Sequence, residues 1–449
     1  MSLIIPIIII FLLFLIAFII IYKNPSYGLF LIILFLPFER IPSYDIPFLW
    51  GITIRIGHIV ALATIIVVIT KVILKKIKIK FDLQDLFFSL YILIAALSIT
   101  VASNQIRAIL ILCFTIFAVI NYWIVKVILK DNEQLHKIEK IFFWSTLIVT
   151  IFGIYQFLGD VFGLPTWITG LRAAYTTPVF GFPRIQSVAL EPLYFANFLL
   201  IPFSLFMGLS LNGKGSKIDI KKIIMIFLIV LNLTLALSRG AFAATLTIIL
   251  LIFILFFRKD NFRKGLKIIG TIFVGAIVAI GLIYFTTWFK GNINNAKNFS
   301  KQAVNVEQGY SANDRAITRS MAFNAFKENP ILGVGIGNFG TWLGKQNLKN
   351  VSNTETQTVN NEPLEVISET GILGALTLII AFGFLFIRGI ILFFKSKESY
   401  TKLWLGCLLI ALIGVAVQYQ TFSTLYIVPI WVLVGLIAAV INLIKEKQY

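Results

Sequence analysis

"IIMIFLIVLNLTLALSRGAFAATLTIILLIFILFF", residues 223–257, is apolar from end to end except for the Ser-Arg-Gly at 238–240. A helix crosses the hydrocarbon core of a bilayer with about 20 apolar residues. The stretch is too long for one crossing and divides at the SRG into two, 223–237 and 241–257. The same texture runs through the whole chain: 59% of the 449 residues are hydrophobic and only 13% are charged, a balance that soluble domains do not carry. Apolar runs with short polar breaks place spans at 3–22, 27–38, 53–74, 83–102, 107–129, 141–159, 188–211, 223–237, 241–257, 268–287, 363–394, 403–421 and 425–444. Alternation at strand period is absent, which argues against a barrel. The expectation is an all-α polytopic membrane protein with about 12–14 transmembrane helices and one large extracytoplasmic loop containing short helices. The first run lacks a basic leader and a small-residue cleavage site, so it reads as a retained helix. Cys113 and Cys407 lie inside apolar runs and read as packing residues.

Orientation follows from the lysines. Basic clusters at 71–80, 126–140, 214–222, 258–267, 395–402 and the tail Lys445 and Lys447 fall on alternate loops, which the positive-inside rule makes cytoplasmic. The C-terminus is then inside and the N-terminus outside. Much of the net charge of +19 is a topology signal plus attraction to anionic lipid, and nucleic-acid binding is not needed to explain it. The arginines are sorted the other way. On this topology 22 of 28 lysines are cytoplasmic, but only 3 of 11 arginines are. The outer set is Arg40, Arg55, Arg107, Arg172, Arg184, Arg239, Arg315 and Arg319. A guanidinium fork suits bidentate phosphate or carboxylate better than an ammonium does, so the set points to an anionic, phosphorylated ligand on the outer face. Anchors that snorkel to headgroups account for others of the set. Arg239 interrupts hydrocarbon-length apolar sequence, which makes it a functional candidate by default.

Two outer segments are long enough to be functional. The first, near 160–187, contains "RAAYTTPVFGFPRIQSVALEP" and leads into Glu191 and Pro192. The second, 288–362, is the only sizeable hydrophilic region, so the chain divides into helices 1–10 over 1–287, a large extracytoplasmic loop over 288–362, and helices 11–13 with a cytoplasmic tail over 363–449. Within the loop, "SANDRAITRSMAFNAFKENP" at 311–330 has helical apolar spacing, Ser311 or Asn313 as cap, and Pro330 past its end. Arg315 and Arg319 fall on one face of that helix, either as a solvated face or as a phosphate site.

"GIGNFG", residues 335–340, fits the dinucleotide-binding pattern letter for letter. That pattern has physical content only after a buried strand and before a crossover helix. Here it follows a helix and "NPIL", so it is accidental and no nucleotide is expected. The glycines of "NPILGVGIGNFG", Gly333, Gly335, Gly337 and Gly340, instead read as a structural turn with close backbone approaches.

At this point the residues carry a resemblance. "ALSRGAF", the arginine-started loop helix, "NPILGVGIGNF" and "NNEPLEVISETGILG" together resemble the O-antigen ligase and polymerase family, and "FPRIQSVALEPLYFANFL" resembles its Arg then Glu/Asp-Pro element. The resemblance implies an integral membrane glycosyltransferase of the bacterial plasma (inner) membrane, using polyprenyl-diphosphate-linked glycans on the extracytoplasmic face. It also implies membrane lipid, chain-length regulator and flippase proteins as partners. Where ligases carry a histidine this chain has Asn360, and its two histidines, His58 and His136, lie elsewhere and read as structural. It therefore looks more like a Wzy-type polymerase than a ligase, which remains the alternative. Arg184, Arg239 and Arg315, then Arg319 and Arg172, are the candidate diphosphate contacts, and Glu191 and Glu362, ahead of Glu365 and Asp314, the candidate bases. Glu191 reads equally as a salt-bridge partner of an arginine. No D-x-D or His/Asp cluster calls for a metal, and no cofactor is expected. A lipid-linked oligosaccharide flippase would share the layout but should show inverted repeats, which are not evident. A channel would want repeated polar pore-lining helices. The shape-and-division family of peptidoglycan polymerases lacks its loop signatures here.

Overall fold

The computed structural model describes residues 4–46, 52–212, 219–257, 259–290, 310–346, 357–397, 399–423 and 425–446. Among these the helices are α1 (Ile4–Lys23), α2 (Pro25–Phe35), α3 (Ile56–Ile73), α4 (Leu83–Leu97), α5 (Gln105–Ile128), α6 (Asn132–Val161), α7 (Thr166–Thr169), α8 (Thr177–Phe180), α9 (Pro192–Asn212), α10 (Ile220–Ala236), α11 (Arg239–Phe256), α12 (Phe262–Phe289), α13 (Tyr310–Glu328), α14 (Phe339–Lys345), α15 (Glu362–Lys395), α16 (Ser399–Gln418) and α17 (Val428–Glu446). Ten of the described helices are long and apolar enough to cross a membrane. Each span read from the sequence coincides with a helix; α2 and α10, at 11 and 17 residues, are among the short ones. This is an all-α polytopic membrane protein.

The SRG break is a true helix boundary. Leu237 takes a left-handed backbone (φ 52°) that stops α10, and Ser238 then caps α11 by accepting the Ala241 N–H at 3.3 Å. One element is absent from the sequence reading. Ser43–Ile46 (β1) and Ile52–Arg55 (β2) pair antiparallel between α2 and α3, so the third span starts at Ile56 rather than at 53. Four residues per strand are too few for alternation to stand out from the flanking apolar runs.

Burial sorts the helices into two classes. Helices α9, α16 and α17 are enclosed, with Trp404 and Trp431 fully buried, whereas α12 presents Phe273, Ile277 and Tyr284 outward. Cys407 is buried and its carbonyl accepts the Ser204 hydroxyl at 2.6 Å, tying α9 to α16. The lysine-bearing helix ends gather at one end of the bundle: Lys126 bridges Asp82 and Asp85, Arg388 reaches Asp82, Lys222 pairs with Glu139, and Lys80 with Glu446. The opposite ends carry Arg40, Arg55, Arg107, Arg172, Arg184, Arg239, Arg315 and Arg319. These two ends are called the lysine end and the arginine end below.

Candidate active site at the arginine end

The segment between α6 and α9 is pinned before it reaches the site. Gln156 of α6 accepts the Ser187 N–H at 2.7 Å and donates to the Ser187 carbonyl at 2.9 Å, while Asp160 accepts both the Thr177 N–H and its hydroxyl. These bonds fix the arc that carries Arg172, Tyr175, Arg184 and Glu191. Arg184 Nε donates to the Ala236 carbonyl at 2.9 Å, one of the orphan acceptors at the end of α10. Its guanidinium thereby lies at the α10–α11 break, over the Tyr175 ring at 5.7 Å. Arg239 is the first residue of α11, and Gly240 behind it leaves room for the Thr421 side chain, which a Cβ there would collide with.

Helix α13 brings the remaining arginines. Ala322 and Ala325 pack with Phe339, Trp342, Leu343 and Val359, and Trp342 Nε1 donates to Glu328 at 2.8 Å. That apolar face orients the helix so that Arg319 donates to the Gln420 carbonyl at 2.6 Å. Arg315, one turn earlier, is close enough to Arg319 and Arg239 to feel both charges. Burial, then those two guanidinium groups, push the Arg315 pKa below the usual arginine value. Arg184 is lowered as well, by burial first, with Arg315 adding to the effect and Tyr175 and Glu191 opposing it.

Glu191 is the carboxylate in this company. Its Oε1 lies 3.4 Å from Arg172 Nη1, and it hydrogen-bonds Tyr175, whose hydroxyl burial and Glu191 push up while Arg184 and Arg172 pull down. Arg40 anchors the far side by donating to the Gly170 carbonyl at 2.6 Å; burial and Arg172 lower its pKa. Arg40, Arg172, Tyr175 and Glu191 line an open cleft of about 640 Å³. The structure thus brings Arg172, Arg184, Arg239, Arg315, Arg319 and Glu191 into one neighbourhood drawn from three separate parts of the chain. Like charges converging at partly buried positions make a site that favours an anion with several negative charges.

Glu362 has a different setting. At the start of α15 its Oε2 accepts the Leu425 N–H at 3.0 Å, and it lines an apolar groove with Tyr419 and Gln420. Glu365 accepts the Val359 N–H at 2.9 Å. Asn360, with φ 55°, precedes the cap Asn361, which donates to the same Gln420 carbonyl that holds Arg319. The side chain of Asp314 lies outside the described residues.

The glycine stretch is a turn filled by the protein itself. Gly333, Gly335 and Gly337 all have positive φ, and a Cβ on Gly333 would meet the Glu369 backbone at 2.4 Å. The N–H groups of Gly337 and Phe339 donate to the Glu369 carboxylate at 2.7 and 3.1 Å. Any anion-binding nest there is already occupied by a side chain of α15. His136 stacks on Tyr400, and His58 lies edge-on to Phe117.

Sequence reasoning missed Tyr175, Glu369 and Gln420. Tyr175 sits within the quoted "RAAYTTP", but a tyrosine in a loop gives no sign of the arginine that stacks on it. Among the described residues no group of three or more His, Cys, Asp or Glu side chains gathers to hold a metal ion.

Residues 224–379 match the sequence model of the O-Antigen ligase family. The matched span contains Arg239, Arg315, Arg319 and the glycine turn, while Arg172, Arg184 and Glu191 come from outside it. A search of curated proteins finds no match. Residues 224–379 therefore carry an O-antigen ligase family domain, set in a multi-pass membrane protein, and that domain supports a membrane glycan-processing enzyme.

Proposed function

We propose that the protein is a glycosyltransferase that polymerises polyprenyl-diphosphate-linked oligosaccharide repeat units on the outer face of the plasma membrane. The observation that carries this reading is the convergence of Arg184, Arg239, Arg315 and Arg319 with Arg172 and one carboxylate, Glu191. The lysine end, by the positive-inside rule, faces the cytoplasm, which puts the arginines outside.

In the reaction the acceptor hydroxyl oxygen attacks the anomeric carbon of the donor glycan. The bond from that carbon to the diphosphate oxygen breaks, and its electron pair leaves on the lipid diphosphate. The arginines stabilise that leaving charge where it develops, which is the largest contribution a fixed site makes to such a step. The hydroxyl proton passes to Glu191, which Arg172 and Tyr175 hold in place. Arg319 and Arg184 are each tied to a backbone carbonyl, so their forks are set before the donor arrives.

Transfer to a different acceptor, as by a ligase, is the second reading, and the family match is compatible with both. Asn360, standing where the resembling ligases carry histidine, supports the polymerase. The test is product analysis of purified protein supplied with polyprenyl-diphosphate-linked repeat unit as its only glycan. A ladder of lengthened lipid-linked products, absent in Arg315→Ala, supports the polymerase. An unextended unit that crosses the membrane of liposomes makes the protein a transporter instead.

A further inference from the structure

A second cavity of about 370 Å³ lies at the arginine end, enclosed by the ends of α2, α3, α5 and α17 and by the 190–194 segment. None of its polar groups belongs to the arginine cluster described above. Glu39, only 8% exposed, lines it, and its Oε2 has no hydrogen-bond partner. Its carboxylate accepts the Leu190 N–H and feels Arg55, whose Nε is buried and also unpartnered. His58 and Arg107 line the same space, with Arg107 Nε fixed on the Gly337 carbonyl at 2.5 Å. Tyr194 and Tyr426, hydrogen-bonded to each other, close one side. The remaining wall is largely aliphatic, with the rings of Phe35, Phe38, Phe114 and Phe117 set into it.

Unmet donors and acceptors cost free energy when buried unless something else satisfies them. Here the side chains of Glu39 and Arg55, each with an unsatisfied polar atom, line one partly open space beside the rings of Phe35, Phe38, Phe114 and Phe117. A sugar ring presents the complement: hydroxyls that both donate and accept around its rim, and an apolar C–H face. The volume lies at the small end of the range of about 300–1,000 Å³ usual for small-molecule sites, which suits a terminal residue rather than a whole repeat unit. The position fits as well. Leu190 lines this cavity while its neighbour Glu191 pairs with Arg172, and Arg40, next to Glu39, lines the arginine cleft. The two spaces adjoin at Leu190 and Glu191 and at Glu39 and Arg40, and the Arg40 N–H ties the two segments together by donating to the Val188 carbonyl at 2.9 Å.

We infer that this cavity is a saccharide subsite, in which Glu39 and Arg55 hydrogen-bond the hydroxyls of a neutral sugar and the phenylalanine rings of the apolar wall receive its apolar face. The inference rests on the proposed glycosyl transfer for its biological meaning, and the cavity then holds a sugar of the acceptor glycan. Burial, offset by Arg55, raises the Glu39 pKa to about 7, so the carboxylate is available as an acceptor above neutrality.

The test uses the full-length protein in detergent and a panel of free hexoses, N-acetylhexosamines and 6-deoxyhexoses, none bearing phosphate. Saturation-transfer NMR should find at least one binder, its affinity lowered about tenfold in Glu39→Gln by loss of a charged hydrogen bond. Leu110→Trp, which fills the cavity from α5 and leaves Glu39 in place, should abolish the signal. Arg315→Ala should keep it. Glycerophosphoglycerol, a lipid headgroup probe, should not compete. No binder in the panel, a signal that survives both cavity variants, or displacement by the headgroup probe would each overturn the assignment. Because no diphosphate or transfer is involved, this result is independent of whether the wild type extends lipid-linked units.

Discussion

The two ends of the bundle treat charge in opposite ways. At the lysine end, Lys126 sits 3.0 Å from Asp82 and 2.7 Å from Asp85, Arg388 lies 3.0 Å from Asp82, and Asp85 also accepts from Tyr122 and Trp123. Two cations meet two anions with hydrogen bonds to spare. At the arginine end, Glu191 meets Arg172 at 3.4 Å and feels Arg184, while the charges acting on Arg315, those of Arg319 and Arg239, are both positive. A protein that uses charge to hold its fold pairs it, because an uncompensated buried charge is costly. One that concentrates like charge in a partly buried cleft leaves the counter-charge to be supplied by a ligand. The first arrangement is structural; the second is poised for binding.

The sharpest way to break this comparison is to remove one cation from each end. Lys126→Met leaves Asp82 and Asp85 short of a partner and should destabilise the fold by about 3–5 kcal/mol, read as a lower melting temperature in detergent. The surviving folded protein should keep its activity. Arg315→Ala should do the reverse: glycan extension falls by about 10²–10³-fold, the loss typical of one charge-stabilising donor, while the melting temperature holds or rises. Equal effects of the two variants on folding would remove the distinction.

A pH series sharpens it at Glu39, the acid that the arginine end leaves half satisfied. The groups facing it are Arg55 from β2, His58 from α3, Arg107 from α5, and Tyr194 and Tyr426. Its pKa rises from 4.5 to about 7 on folding, chiefly by burial, so the folded state prefers the protonated acid. The stability this group contributes is present in full below pH 4.5 and is lost as pH rises through about 7. At about 1.36 kcal/mol per pH unit the interval corresponds to about 3 kcal/mol. The stability difference between Glu39→Gln and wild type should therefore shift in favour of the variant by that amount between pH 4 and pH 8. A difference that stays flat across the range would place Glu39 in water.

Binding without turnover gives a smaller signal from the same contrast. Methylenediphosphonate should raise the melting temperature of the wild type, by the equivalent of about 2.7 kcal/mol at a hundred times its dissociation constant. The effect should fade with salt and disappear in an Arg315→Ala, Arg319→Ala double variant. If Lys126→Met also abolished it, the anion would not be reading the arginine cluster.

How far these features were legible follows from their range in sequence. The helices were visible because a membrane crossing imposes a length and a composition on a contiguous run. The α10–α11 break was visible for the same reason, as an arginine where hydrocarbon should continue. The β1–β2 hairpin was not, since it hides between two apolar runs with four residues a strand. The arginine site was legible as a sorting of arginine from lysine, a property of the whole chain. Its members' pairings were not: Arg184 reaches across 52 residues to Ala236, and Arg319 across 101 to Gln420. Glu39 escaped notice because, at the end of an apolar run and beside Arg40, it looks like an ordinary interface residue. Only packing against Leu190 and Arg55 reveals its setting.

The smallest effect separates two acids that the sequence set side by side as candidate bases. Glu362 spends an oxygen on the Leu425 N–H at 3.0 Å, whereas Glu191 faces Arg172 and Tyr175 within the cluster. A glutamine carbonyl accepts a backbone hydrogen bond as a carboxylate does, though with less strength. Glu362→Gln should then preserve the tie between α15 and the approach to α17, with a stability change under about 1 kcal/mol and extension close to wild type. Glu191→Gln cannot take a proton from an acceptor hydroxyl and should lower the rate by about 10²-fold or more. If the order is inverted, the proton leaves through α15, and the arginine cluster binds the donor without the acid beside it taking part in the transfer.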